Sequence, residues 1–267
     1  MIGFLTRPWL LIWRYRLLLW NTTRADIRGK YAGTVLGMAW MALYPLLFLA
    51  LYAVVYIMIF RVRFGEFRPM EYVMVIFAGL VPFLNFAEVL GVGVPSVTSN
   101  ASLIKNTMFP IELIPVKSVL FCLPTLAVSL VLLETALVLA GHAGWLQLLC
   151  LVVVLLQTVY CIGLVWILSA MNVFMKDLAQ IVPVVTLFLM LVSPIAYTTD
   201  MVPENLRTFM YFNPLYYMID MYRMSMLGDL CPFSWTSFGA FTVLALVTFW
   251  IGFWLFSRLK QVFADEC

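Results

Sequence analysis

Long apolar runs separated by short polar turns dominate this sequence. The runs at about 34–60, 72–95, 116–140, 146–171, 179–197 and 236–257 reach or approach the roughly 20 residues that a helix needs to cross hydrocarbon. Arg61, Arg63, Glu66 and Arg68 separate the first two runs. A polar stretch at 96–106 and the Pro-punctuated FPIELIP at 109–115 separate the second from the third. The segments 141–145 and 172–177 read as tight turns. The pattern predicts an all-α membrane protein with six transmembrane helices. Two stretches break the pattern. Residues 8–20 (PWLLIWRYRLLLW) are apolar, but Arg14 and Arg16 interrupt them and they are too short to span. They predict an amphipathic interfacial helix with Trp9, Trp13 and Trp20 at headgroup level, followed by a polar, basic segment at 21–31. Residues 199–234 mix aromatic clusters with Asp200, Glu204, Arg207, Asp220, Arg223 and Asp229. They are too polar to span, and predict short re-entrant or gate helices on the outer face before the last span. The chain divides into 1–31 (interfacial helix and entrance segment), 32–258 (transmembrane domain) and 259–267 (tail).

Composition agrees with this pattern. Of 267 residues, 64% are hydrophobic and 11% charged, whereas a soluble domain carries roughly a quarter charged residues. Lipid solvates the outer face of such a chain, so the shortage of charge is no obstacle. The formal net charge of +3 is small, and no basic block of the kind that tracks nucleic acid occurs. The placement of charge matters more than its total. With both termini in the cytoplasm, the inner side holds Arg7, Arg14, Arg16, Arg24, Arg28, Lys30, Lys105, Lys117, Lys176, Arg258 and Lys260. That is 11 of the 16 Lys and Arg, as the excess of positive charge on cytoplasmic loops requires. No cleavable signal peptide is expected. The five cysteines form no CxxC pair and read as packing residues.

Candidate chemistry is sparse. His142 is the single histidine, so no His pair or Cys/His cluster is expected to hold a metal. Neither a GxSxG nucleophile elbow nor a GxxxxGK[ST] phosphate loop occurs. Active transport would therefore draw on a partner or an ion gradient. Glu88 and Glu134 fall within spans, where an ionisable group is costly and is by default a functional hypothesis. The structural alternative, a position near a span end or a polar neighbour as partner, carries more weight for each, and no lysine or arginine is expected at their depth. The first span carries Trp40, Tyr44, Phe48, Tyr52, Tyr56 and Phe60, each four residues after the last. Residues at this spacing share a helix face, drifting by about 40° per step. They could form an aromatic conduit wall suited to sliding sugar rings, or simply pack helices together; the spacing leaves both open. Gly33 and Gly37 form a GxxxG that would permit close helix approach. Pro82, Pro183 and Pro194 should kink their spans.

Several marks then point to a family. The run Tyr31-Ala-Gly-Thr-Val-Leu-Gly-Met-Ala-Trp40, continuing to Tyr44 and Pro45, resembles the "RYxxSxLGxxWxxLxP" stretch of permease subunits of ABC type-2 polysaccharide exporters, with Thr34 where serine is commoner. Gly79-Leu80-Val81-Pro82-Phe83 is similar to that family's "GLxPW", with Phe83 for Trp. NASLIKNTMFPIELIP at 100–115 is similar to its "NxxLIxxxxFPxEILP" segment. Lys176-Asp177 resembles its "RDI" turn, Ser193-Pro194-Ile195 its "SPI", and Asn213-Pro214-Leu215 with Arg223 its "NPL…R". The ordered set covers nearly the whole chain.

The resemblance implies the channel-forming subunit of an exporter of lipid-linked polysaccharide, such as an O-antigen or teichoic acid, in a bacterial inner membrane. It implies a homodimer of permeases joined to two ATP-binding cassette subunits, which alone bind ATP and Mg. This chain would then be no enzyme and hold no cofactor. The resemblance gives the aromatic ladder a role as channel wall, with the first and fifth spans lining it. It places Arg24, Arg28, Lys30 and Tyr31 at the cytoplasmic entrance, near a lipid pyrophosphate or anionic headgroups. Asn100, Leu103, Ile104, Lys105 and Phe109 would couple to the ATPase, and Tyr211, Asn213, Pro214, Tyr217 and Arg223 would form the outer gate. Two other readings stand beside it: an ABC type-2 exporter of a drug or lipid, and a membrane-embedded glycan-modifying enzyme.

Overall fold

The computed structural model describes residues 2–59, 69–100, 110–142, 144–197, 202–228, 230–231 and 233–263. These residues form helices joined by turns, with no strand among them. The chain begins with α1 (Ile2–Arg14) and α2 (Arg16–Tyr31). The expected interfacial helix is thus two helices, broken at Tyr15, and the second runs on through the polar segment. Tertiary packing supplies what composition withholds. Leu19, Thr23 and Ile27 recur every four residues and turn one face of α2 towards a later helix, α6, with Arg16, Arg24 and Asp26 along its margins.

Next come α3 (Trp40–Ala53), which continues as a π-helical turn over Val54–Ile59, and then α4 (Pro69–Gly93), the short α5 (Ser96–Ser99), α6 (Leu113–Leu139) and α7 (Leu149–Phe174). After these follow α8 (Leu178–Val192), α9 (Glu204–Tyr211), α10 (Pro214–Met226) and α11 (Trp235–Leu259). Among the described residues, five helical stretches are long and apolar enough to cross a membrane. The central one is α4: 83% of its most apolar window is buried, against 17% for Gly37–Tyr56, which lies at the edge of the bundle.

The tightest pairing is α7 against α11. A Cβ on Gly252 would lie 2.1 Å from the Gly163 carbonyl oxygen, and one on Gly163 would lie 2.5 Å from Phe249 Cα. The two backbones therefore touch, as small residues allow in membrane helices. Beside this contact Trp166 is fully buried. It packs on Phe249 and Phe253, and its indole N–H donates to the Glu112 carbonyl at 2.9 Å. The expected GxxxG contact is corrected. Gly33 and Gly37 lie in the turn before α3 with φ of 79° and 51°, and nothing lies within 4 Å of where a Cβ would be. They serve a left-handed turn, and Gly163 and Gly252 make the close approach.

Polar contacts mark the two ends of the bundle. At the near end Lys117 at the start of α6 meets Asp26 at 2.8 Å, and Lys260 after α11 meets Glu112. At the far end His142 lies 4.0 Å from Glu71, and Gln147 donates to the Met226 carbonyl at 3.4 Å. The long helices alternate between these ends.

The passage through α8 departs from the expected continuous span at 179–197. Its 15 helical residues rise only about 22 Å, short of the roughly 30 Å hydrocarbon. The helix stops at Val192 because Pro194 has no N–H and forces the preceding residue away from helical angles. Ser193 is accordingly extended, at φ −76° and ψ 144°. The following residues carry the chain to the far end, where the Tyr72 hydroxyl donates to the Ala196 carbonyl. Within the segment expected to hold re-entrant or gate helices, α10 sets one face into the bundle. Although α10 is too polar to span, Leu215, Met218, Ile219, Tyr222 and Arg223 are buried, and α10 packs against α4, α7 and α11. Asn213 caps it by accepting the Leu215 N–H at 3.0 Å, with Pro214 in the first turn.

Candidate functional site: a cavity at the near end and a clamp at the far end

Near the Asp26–Lys117 end lies a cavity of about 440 Å³. Lys30 and Tyr31 enter it from the end of α2, and Trp40 and Tyr44 from the first two turns of α3. Ala87, Glu88 and Gly91 form one face of α4, and their small members leave the space open. Val182, Pro183 and Thr186 close it from α8. The first and fifth passages therefore meet at this cavity.

Its one ion pair among the described residues is Lys30 Nζ with Glu88 Oε1, at 2.5 Å. No cation was expected at the depth of Glu88, but the end of α2 leans on α4 and brings one. The ammonium also lies 5.2 Å from the Tyr31 ring and 5.0 Å from the Phe121 ring. Burial works to lower the Lys30 pKa, but the Glu88 hydrogen bond and charge outweigh it, and the pKa is raised. Lys30 is thus a charged, already partnered group. Glu134 has no part in this site; it lies five residues before the end of α6.

The ladder divides. Trp40 and Tyr44 are 38% and 45% exposed and line the cavity. Phe48 is half-buried beneath Tyr44, at 5.0 Å between rings. Tyr52 is buried and stacks on Tyr56 at 5.7 Å. A drift of about 40° per step accumulates to about 160° from Trp40 to Tyr56, so one straight face cannot hold all the rings. Phe60 lies outside the described residues. The four entrance residues divide as well. Arg24 lines a different cleft, between α2 and α6, and Arg28 is exposed on a neighbouring face. At about 100° per residue, six positions separate Arg24 from Lys30 by roughly 240°. Of the coupling residues, Asn100 donates to the Ser96 carbonyl at 2.8 Å and lines a cleft with Asp26 and Lys117. Leu103, Ile104, Lys105 and Phe109 lie outside the described residues.

The far end is built around Arg223. Its guanidinium is buried and donates to the carbonyls of Ile195 at 2.7 Å, Val75 at 3.2 Å and Tyr197 at 3.4 Å. Asn213 Nδ2 donates to Ser193 Oγ at 3.0 Å. The bonds to Ile195 and Tyr197 satisfy backbone carbonyls exposed where α8 gives way to extended chain, a necessity where no water is available. Gly79 makes room, because a Cβ there would lie 3.3 Å from the guanidinium and 3.1 Å from Ile219. The Gly79, Ser193–Ile195 and Asn213–Arg223 motifs, distant in sequence, thus form one clamp. Arg223, expected among the outer-gate residues, is enclosed rather than exposed at this end. Tyr217 donates to the Tyr211 carbonyl at 2.9 Å, and Pro214 sits in the first turn of α10.

One polar network was missed at the sequence level. Gln157 Nε2 donates to the Pro82 carbonyl and to Asn85 Oδ1, each at 3.1 Å. Asn85 Nδ2 donates to the Cys122 carbonyl at 3.0 Å, and the Tyr222 hydroxyl donates to Gln157 Oε1. The signal was present: an Asn and a Gln stand mid-run in otherwise apolar stretches.

Comparison with known proteins adds the lineage. The profile of the family described as ABC-2 type transporter matches residues 9–227. A protein of Klebsiella pneumoniae named "O-antigen export system permease protein RfbA" is 29% identical over 252 residues, 93% of this chain and 94% of that relative. A protein of the same name from Myxococcus xanthus is 26% identical over 258 residues, 96% of this chain and 97% of the relative.

Proposed function

This chain belongs to the ABC-2 type transporter family, and from that premise we propose that it is the membrane subunit of an exporter moving an O-antigen-like, lipid-linked polysaccharide out of the cytoplasm. Relatives named as O-antigen export permeases align along 93% and 96% of the chain, which supports the substrate class. The observation that carries the reading is the near-end cavity, where basic α2 meets the first rings of the ladder. Exposed Trp40 and Tyr44 offer flat faces to sugar rings without fixing them, as a sliding polymer needs. The Lys30 ammonium, tied to Glu88, stands where an anionic lipid pyrophosphate would arrive and would exchange partners with it.

In this reading the near end faces the cytoplasm of a bacterial inner membrane and both termini lie there, in keeping with the excess of Lys and Arg at that end. Two copies pair around the path, and two ATP-binding cassette subunits hold ATP and Mg and drive export. The far-end clamp holds the extended segment beside the exit.

Export of a lipid-linked glycan should be followed in sealed vesicles that contain the permease with and without its ATPase. Transport undiminished without the ATPase would sink the mechanism. At about 1 kcal/mol for each lost ring contact, Trp40→Ala with Tyr44→Ala should slow export roughly ten- to thirty-fold. Unchanged export by a folded double variant would remove the aromatic wall from the argument.

A further inference from the structure

A second cleft of about 630 Å³ lies between α2 and α6 and shares no lining residue with the aromatic cavity. Its helix faces are regular. Arg16, Trp20 and Arg24 recur every four residues along one rim of α2 and place two guanidiniums about two turns apart. Thr23 lies on the floor beside them. On α6, Leu120 and Pro124 supply an apolar wall. One half of the cleft is cationic and the other is hydrocarbon-like.

Thr23 carries the decisive observation. The residue is 5% exposed, and its hydroxyl makes no hydrogen bond among the described residues. The neighbouring Thr22 satisfies its own hydroxyl by donating to the Leu18 carbonyl at 2.8 Å, the usual recourse of a helical threonine. Leaving a buried hydroxyl unpaired costs about 1–3 kcal/mol, so an acceptor belongs in the cleft. Arg16 uses one nitrogen on the Trp13 carbonyl at 3.1 Å and lies over the Trp13 ring at 4.6 Å, and among the described residues its other donors make no hydrogen bond. An acceptor beside two guanidiniums and above an apolar wall has the chemistry of a phosphodiester attached to acyl chains.

We propose that this cleft binds one anionic phospholipid of the surrounding membrane, with its phosphate on Arg16, Arg24 and Thr23 and an acyl chain along α6. The lipid would fasten α2, which carries Lys30 into the transport cavity, without being transported itself. The site does not depend on which substrate the exporter moves.

Native mass spectrometry of the full chain in detergent, delipidated and then given phosphatidylglycerol or phosphatidylcholine, tests this. The wild type should retain one phosphatidylglycerol per chain in clear preference to phosphatidylcholine. Arg16→Gln with Arg24→Gln should lower that retention about tenfold or more, and Thr23→Val, which keeps the shape, should lower it several-fold. Arg258→Gln, on α11 away from the cleft, should leave it within about twofold. Equal losses in Arg258→Gln and the cleft variants, or retention unchanged by Thr23→Val and the double variant, would overturn the proposal. So would displacement of phosphatidylglycerol by an equal amount of polyprenyl pyrophosphate, which would assign the cleft to a transported lipid.

Discussion

Arg223 shows how much a single side chain does where water is absent. Its guanidinium serves three carbonyls at once, those of Val75, Ile195 and Tyr197. A lysine has three donors but presents them from one point, and cannot reproduce that planar fork. Arg223→Met should lower the unfolding temperature in detergent by several degrees, since each buried carbonyl left unpaired costs about 1–3 kcal/mol. Arg223→Lys should recover only part of the loss. Tyr222→Phe removes one donor from the Gln157 network and should cost less than Arg223→Met. A thermal-shift series on the three variants gives the order directly, and Arg223→Met as stable as wild type would dissolve the clamp.

At the scale of elements, the glycines separate helix contact from turn geometry. Gly252→Ala drives a methyl to 2.1 Å from a backbone oxygen, where no side chain can rotate away. The cost should exceed the roughly 1–3 kcal/mol of ordinary overpacking, and the variant should fail to accumulate in membranes. Gly37→Ala meets open space but retains φ 51°, so it should cost about 1–2 kcal/mol. Gly29 lies inside α2 with nothing within 4 Å and ordinary helical angles. Gly29→Ala should therefore stabilise by roughly 0.5–1 kcal/mol. Expression level and unfolding temperature across these three variants check the ranking. The broken passage after α8 belongs to the same scale: Pro194 ends the helix, and side chains from α4 and α10 take up the freed carbonyls.

At the scale of the whole molecule, the Lys30–Glu88 pair ties the interfacial helices to the bundle at the mouth of the cavity. Its partners are partly solvated, so its direct contribution is of the order of 0.2–1 kcal/mol, and its weight falls on position more than on stability. Lys30→Glu should place like charges together and slow export, and adding Glu88→Lys should restore much of the rate. Recovery absent from a folded double variant would argue against the pairing. The Lys30 pKa is raised above the ordinary 10.5, so the pair's stabilisation is complete below that value and is lost only as pH climbs through the raised one. The difference in unfolding temperature between wild type and Lys30→Met should therefore stay flat between about pH 7 and 9.

The apolar runs and their spacing determined the all-α membrane class, five of the long passages, and the ordered motifs that carry the family. These are local properties, because a bilayer selects helices by run length and composition alone. The sequence also drew attention to Trp40, Tyr44, Lys30 and Glu88, which the structure gathers around one cavity. Tertiary structure alone decided their grouping. It brought Lys30 to Glu88, set Arg24 in a separate cleft and enclosed Arg223. It also drew Gly79, Ser193 and Asn213 into one clamp. Contacts between residues 58 to 148 positions apart depend on which helix faces meet. A periodicity defines a face, but only packing selects its partner.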